Sequence, residues 1–270
     1  MKGHTILTLQ QGRRKNAAAG EPIHCPFVTL VGTKTFFRRG QLSLIAGGPG
    51  TGKSAFIQAW LQRGDDHGNK NSVFYFSADS DSFTMNKRAA AIATGFTQDD
   101  VEEMLARGES AGIDAAVAQE ASHMWWDYEP APDAEHIEME LAAFYEVHGE
   151  WPEVVVLDNA KNAFIGNAVG EFEALEQTME FLHTLARDTN CAVVVLHHVA
   201  GENNENGMVP IPLTGVRGRV TKTPEVVLTL HRAEGKLNIS PVKNRNGKAQ
   251  ASGLWFLQLS TDLSRMSYSG

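Results

Sequence analysis

Gly47-Gly48-Pro49-Gly50-Thr51-Gly52-Lys53-Ser54 fits the pattern GxxxxGK[ST] without a gap. The pattern suits dense negative charge. Its glycines let the backbone curl so that successive N–H groups point at one anion. Lys53 adds a positive charge for the outer phosphates of a nucleotide, and the Ser54 hydroxyl is a ligand type for Mg²⁺. A helix starting here would also offer the positive end of its dipole. The plain alternative is a glycine-rich turn with an exposed lysine, and the flanks argue against it. Residues 41–46, Gln-Leu-Ser-Leu-Ile-Ala, read as a buried strand, and Phe56, Ile57, Trp60 and Leu61 recur at helical spacing. Strand, loop and helix together assign Gly48, Pro49, Gly50, Thr51, Gly52, Lys53 and Ser54 to binding the phosphates of a nucleotide.

The remaining composition narrows the class. The chain has 270 residues, 42% hydrophobic and 21% charged, enough for one sizeable core. No run of eighteen apolar residues suggests a membrane span, and the first ten residues lack the apolar stretch of a secretion signal. Cys25 and Cys191 match no metal spacing and read as unpaired thiols of a reducing cytoplasm. The net charge of −8 argues against a surface that grips nucleic acid everywhere, so any DNA contact must come from a local basic patch built by several subunits.

Along the chain, residues 1–35 are expected to form an N-terminal arm and residues 36–270 one α/β domain. A second strand is expected over 72–77, then helices over 82–94 and 98–107, the latter opened by a Thr97–Asp100 capping box. An Ala-rich stretch over 109–122 has no clear pattern. A short aromatic strand over 123–128 precedes a helix capped by Asp133, with Ile137, Leu141 and Phe144 on its apolar face. Strands at 154–157 and 192–196 flank a long amphipathic helix, and 201–207 reads as a mobile Gly/Asn-rich loop. Strands at 225–230, 237–242 and 254–259 close the chain. This order implies a mostly parallel sheet flanked by helices, with a C-terminal antiparallel extension.

Hydrolysis needs more than a phosphate loop. Asp158 ends a Val-Val-Val-Leu strand, which would set its carboxylate beside Ser54 as a second holder of Mg²⁺. Asn159 follows it, so the group that activates water must come from elsewhere. Ser77-Ala78-Asp79-Ser80-Asp81, at the end of the neighbouring strand, supplies Asp79 as first candidate and Asp81 as second; either could instead cap a turn or helix. His197 and His198 end the 192–196 strand. Adjacent strand residues point to opposite faces, so the pair is poorly placed to chelate one ion, and His198 suits contact with a γ-phosphate. Asn246-Gly247 is a strong hairpin dipeptide, and a tip carrying Lys243 and Arg245 is either a solvated basic turn or a pair of fingers reaching a neighbour's γ-phosphate.

With these residues in view, the chain resembles the RecA-type ATPase core of DnaB-like replicative helicases, in particular the stand-alone phage versions and the RepA-type hexameric plasmid helicase. The resemblance spans about residues 36–259. It rests on Arg39-Gly40-Gln41-Leu42 before the phosphate loop, Phe76-Ser77-Ala78-Asp79, Leu213-Thr214-Gly215-Val216-Arg217-Gly218, and Lys243-x-Arg245-Asn246-Gly247. It implies a RecA-like P-loop fold and a homo-oligomeric ring, usually a hexamer, with ATP and Mg²⁺ between subunits and Lys243 and Arg245 acting in trans. It implies translocation on single-stranded DNA in the cytoplasm (a host's, if phage-encoded), through channel loops at about 160–171 and 199–214, with Lys161, Arg217, Arg219 and Lys222 as the cations facing DNA. Asp79 stands where the family carries Glu, and His198 where DnaB and RecA proteins carry Gln. A primase or a loader is a partner of the family, but no segment here resembles the helical domain that recruits primase. The alternative is a RecA- or KaiC-like ATPase of recombination or assembly that does not unwind.

Overall fold

The computed structural model describes residues 20–163, 165–166, 170–199, 207–216 and 220–270. Nine strands form one sheet in the order β3-β2-β4-β5-β1-β6-β7-β8-β9. The strands are β1 (Leu42–Gly47), β2 (Val73–Ser77), β3 (Met124–Asp127), β4 (Val154–Asp158), β5 (Ala192–His198), β6 (Val226–Ala233), β7 (Lys236–Asn244), β8 (Leu257–Asp262) and β9 (Ser267–Ser269). Strands β1 to β6 pair in parallel and the last three are antiparallel. The helices are α1 (Val28–Gly32), α2 (Lys53–Arg63), α3 (Ser82–Thr94), α4 (Gln98–Ala106), α5 (Ala111–Glu120), α6 (Ala134–His148) and α7 (Glu171–Thr189).

The parallel strands are covered on both faces, which is why they read as unbroken apolar runs. Alternation divides them between two cores. Val154, Val156, Val194 and Leu196 face α2, while Val155, Leu157, Val193 and Val195 face α6 and α7. The α2 side is aromatic. Phe37 stacks on Trp60 at 4.7 Å between ring centres, and Phe27 stacks on Phe56 at 5.6 Å.

Four expectations change. Part of the expected arm is core: Ile23, Phe27 and Leu30 are buried against α2, and the Trp60 indole N–H donates to the His24 carbonyl at 2.7 Å. Residues 1–19 lie outside the described residues. The undecided stretch at 109–122 holds α5. The last long strand begins at Leu257 rather than 254, because Leu254 is exposed and the Trp255 ring is covered by the Lys248 ammonium at 4.1 Å. Asn246-Gly247 is not a two-residue hairpin. β7 ends at Asn244, β8 starts at Leu257, and Gly247 is pressed on the Thr33 and Lys34 carbonyls. The tight hairpin is Glu234-Gly235 between β6 and β7, with φ of 52° and 72°, the doubly positive pair of a type I′ turn.

Candidate functional site

Strands β1, β2, β4 and β5 all end at one edge of the sheet, β2 and β4 two residues short of β1 and β5. Gly47 pairs with His198, and Ser77 pairs with Asp158. Open parallel sheets bind ligands at this C-terminal edge.

The phosphate loop joins β1 to α2 here. Gly50 and Gly52 have φ of 72° and 91°, which side-chain-bearing residues rarely adopt. A Cβ on Gly47 would lie 2.9 Å from the Thr51 hydroxyl and 3.2 Å from the Leu230 carbonyl, so the turn out of β1 needs glycine. Lys53 is buried, and its ammonium donates to the Gly47 and Gly48 carbonyls at 3.0 and 3.1 Å. Burial holds the Lys53 pKa down at about 8, against the opposing pull of Asp158 and Asp79.

Asp158 is 1% exposed and accepts hydrogen bonds from Ser54 and from the Tyr75 hydroxyl, the latter at 2.8 Å. Burial raises its pKa despite both bonds. A buried carboxylate hydrogen-bonded to a phosphate-loop hydroxyl forms an all-oxygen pair, the ligand type that fits Mg²⁺. Tyr75 escaped the sequence reading, although a hydroxyl inside the run Val-Phe-Tyr-Phe signals a buried partner.

The structure separates the two candidate carboxylates. Asp81 is the N-cap of α3, accepting the Thr84 N–H at 2.7 Å, and this bond lowers its pKa. The Asp79 side chain is 43% exposed and lies 3.3 Å from His198 Nε2. His198 Nδ1 is 3.1 Å from the Lys53 ammonium. An ammonium only donates, so Nδ1 accepts and Nε2 carries the proton toward Asp79. His198 thus bridges Lys53 and Asp79, a link that spacing alone did not reveal. His197 points the other way, into the core. It is 3% exposed, its Nδ1 has no hydrogen-bond partner, and burial lowers its pKa to about 4.

Lys243 and Arg245 are not at this edge. β7 runs against β6, which places Lys243 opposite Val227, itself level with Leu44. The Arg245 N–H donates to Glu225, whose own N–H donates to Leu42. Arg245 is therefore level with the start of β1, five residues before Gly47, or about 16 Å along the strand. The Lys243 ammonium donates to the Thr221 and Lys222 carbonyls at 2.8 and 2.9 Å, and burial lowers its pKa. Arg245 is mostly exposed, 4.0 Å from Glu225.

Of the four cations expected to face DNA, Arg217 and Arg219 lie outside the described residues. Lys161 pairs with Glu171, and Lys222 pairs with Glu176, each at 2.9 Å. Exposed pairs of this kind contribute about 0–1 kcal/mol, so both lysines can exchange partners.

A model of the AAA domain family matches residues 32–204. The chain belongs to that family. This AAA-domain protein is 37% identical over 263 residues to the gene 65 protein of Mycobacterium phage L5, covering 94% of this chain and 95% of the relative. It is 37% identical over 219 residues to the gene 65 protein of Mycobacterium phage D29, covering 78% and 90%. Two solved structures share its fold at 13% identity. One is a DnaB-like replicative helicase described with its interactions with primase, at a TM-score of 0.75 over all of this chain and 67% of that one. The other is the ATPase domain of G40P, at 0.77 over 98% and 96%. The fold of this AAA-domain protein is accordingly that of the RecA-like ATPase core of DnaB-like helicases, as the sequence resemblance implied.

Proposed function

We propose that this protein is an ATP-driven motor that moves on single-stranded DNA as a homo-oligomeric ring, a helicase of replication with ATP bound between subunits. One observation carries the reading. The phosphate loop follows Gly47 at the C-terminal edge, whereas Lys243 is level with Leu44 and Arg245 with Leu42, the latter about 16 Å back along the strands, so the pair is set away from this chain's own phosphate loop, which supports a role on another copy's nucleotide. A ring brings one edge of each subunit to the other edge of the next.

Within the site, Lys53 leaves the loop carbonyls to meet the outer phosphates. Asp79, the carboxylate beside His198, orients the attacking water and accepts its proton. His198 reads the γ-phosphate from between them, touching both Lys53 and Asp79. Ser54 and Asp158 would hold Mg²⁺, which when bound neutralises charge on the phosphates. Lys161 and Lys222, with Arg217 and Arg219, would face DNA phosphate, and many copies round a channel would concentrate these cations despite a net charge of −8 per chain. A primase or a loader is the partner class such a motor would meet. The site of action would be the host cytoplasm.

The test is the rate of ATP hydrolysis with and without single-stranded DNA, alongside mass by light scattering. A multimer whose turnover rises with DNA is expected. A monomer with DNA-independent turnover would contradict the proposal.

A further inference from the structure

At the far end of the same sheet edge lies a cluster that the nucleotide site does not use. Asp127 is the last residue of edge strand β3, and His136 and Glu140 stand one turn apart on α6, on the same face of the helix. Their ligand-type atoms all lie within 4.8 Å of one another. The first turn of α6 is fixed by its cap, with the His136 N–H donating to Asp133 at 2.8 Å.

His136 Nε2 is the informative atom. It is shut off from solvent, yet it makes no hydrogen bond. Asp127 Oδ1 is only 3.1 Å away, near enough for an ion pair but not aligned for a hydrogen bond. A neutral or charged imidazole pairing with a carboxylate would turn its N–H onto the oxygen. Two ligands sharing one ion behave differently: both lone pairs aim at a common point, and bonds of about 2.1 Å set the ligand atoms roughly 3.0–3.4 Å apart. The observed separation falls in that range. The Phe76 ring packs edge-on to the imidazole, 6.5 Å between centres, and forms an apolar wall on one side.

We infer that Asp127, His136 and Glu140 form a binding site for one divalent transition-metal cation. One imidazole nitrogen and two carboxylate oxygens favour Zn²⁺ or Mn²⁺ over Mg²⁺ or Ca²⁺, which prefer all-oxygen shells. Water completes the coordination. The site is distinct from the nucleotide metal. β2 separates β3 from β4, with Phe76 paired to both Asp127 and Leu157, so two strand spacings, about 10 Å, lie between Asp127 and the Asp158 strand. The ion would tie the free edge strand to α6, beside the strand that leads to Asp79.

The experiment is calorimetric titration of Zn²⁺, and separately Mn²⁺, into nucleotide-free full-length protein with Mg²⁺ in excess. Melting temperature is followed in parallel, because an ion that binds only the folded state raises it. One equivalent is expected to bind to the wild type and to Asp158→Asn. His136→Gln and Glu140→Gln should each weaken binding by about tenfold or more and abolish the rise in melting temperature. Glu140→Gln keeps the shape of a half-buried helix position, so it serves if His136→Gln does not fold. Three results would each overturn the inference: no saturable binding to the wild type, binding unchanged in both glutamine variants, or binding lost in Asp158→Asn alone.

Discussion

The two edges of the parallel sheet differ in how far each is complete within one chain. At the C-terminal edge, Lys53 and Asp158 are almost fully buried, and their polar atoms are taken up by Gly47, Gly48, Ser54 and Tyr75. Toward the N-terminal edge, Lys243 rests on two backbone carbonyls and Arg245, level with the start of β1, points into solvent beside Glu225. Desolvated charges with fixed partners act strongly on a ligand, whereas exposed ones act weakly until something covers them. On the proposed reading, the buried edge is one half of the site, already formed. The exposed edge is the other half, covered only when a neighbour arrives.

The comparison breaks most visibly at the buried edge. Lys53→Ala and Asp158→Ala each remove charge stabilisation from the phosphates, and turnover should fall by about a thousandfold or more in a steady-state ATPase assay. Next comes Asp79→Asn, which should keep ATP affinity in a nucleotide-binding titration and lose about a hundredfold in hydrolysis. Burial at this edge also predicts a pH dependence. The folded pKa of His197, about 4, lies below its ordinary value of 6.5, so as pH falls the unfolded chain takes up the proton first. The contribution is fully present above pH 6.5 and is lost progressively down to about pH 4, roughly 3 kcal/mol in all. Urea midpoints across that range should fall less for His197→Asn than for the wild type. The smallest effect belongs to Asp81→Asn. Asparagine still caps a helix, so stability should change by less than about 1 kcal/mol and turnover should stay close to wild type. A large loss of turnover would move the water-activating role from Asp79 to Asp81.

How much of this the sequence disclosed depended on how local the cause was. The phosphate loop, the α3 boundaries and the Thr97–Asp100 capping box are set by neighbours within four residues, and all were legible. The place of Asp158 at the end of β4, beside Ser54, was legible because a charge closing an apolar strand is rare. The Lys53–His198–Asp79 bridge joins three separate segments of the chain and left no local signal. Ile23, Phe27 and Leu30 resembled arm residues because only tertiary packing buries them. Asn246-Gly247 misled for the opposite reason. The dipeptide does favour a hairpin, but contacts with the distant Thr33 and Lys34 carbonyls fix this glycine instead.

The most direct test of the shared site mixes two inactive proteins, Lys53→Ala and Arg245→Ala. If the two edges meet between subunits, some interfaces in the mixture pair an intact phosphate loop with an intact Arg245. Hydrolysis should then reappear, and wild-type specific activity should rise with protein concentration. A mixture that stays inactive, or an Arg245→Ala protein that turns over ATP at the wild-type rate, would contradict a site completed in trans.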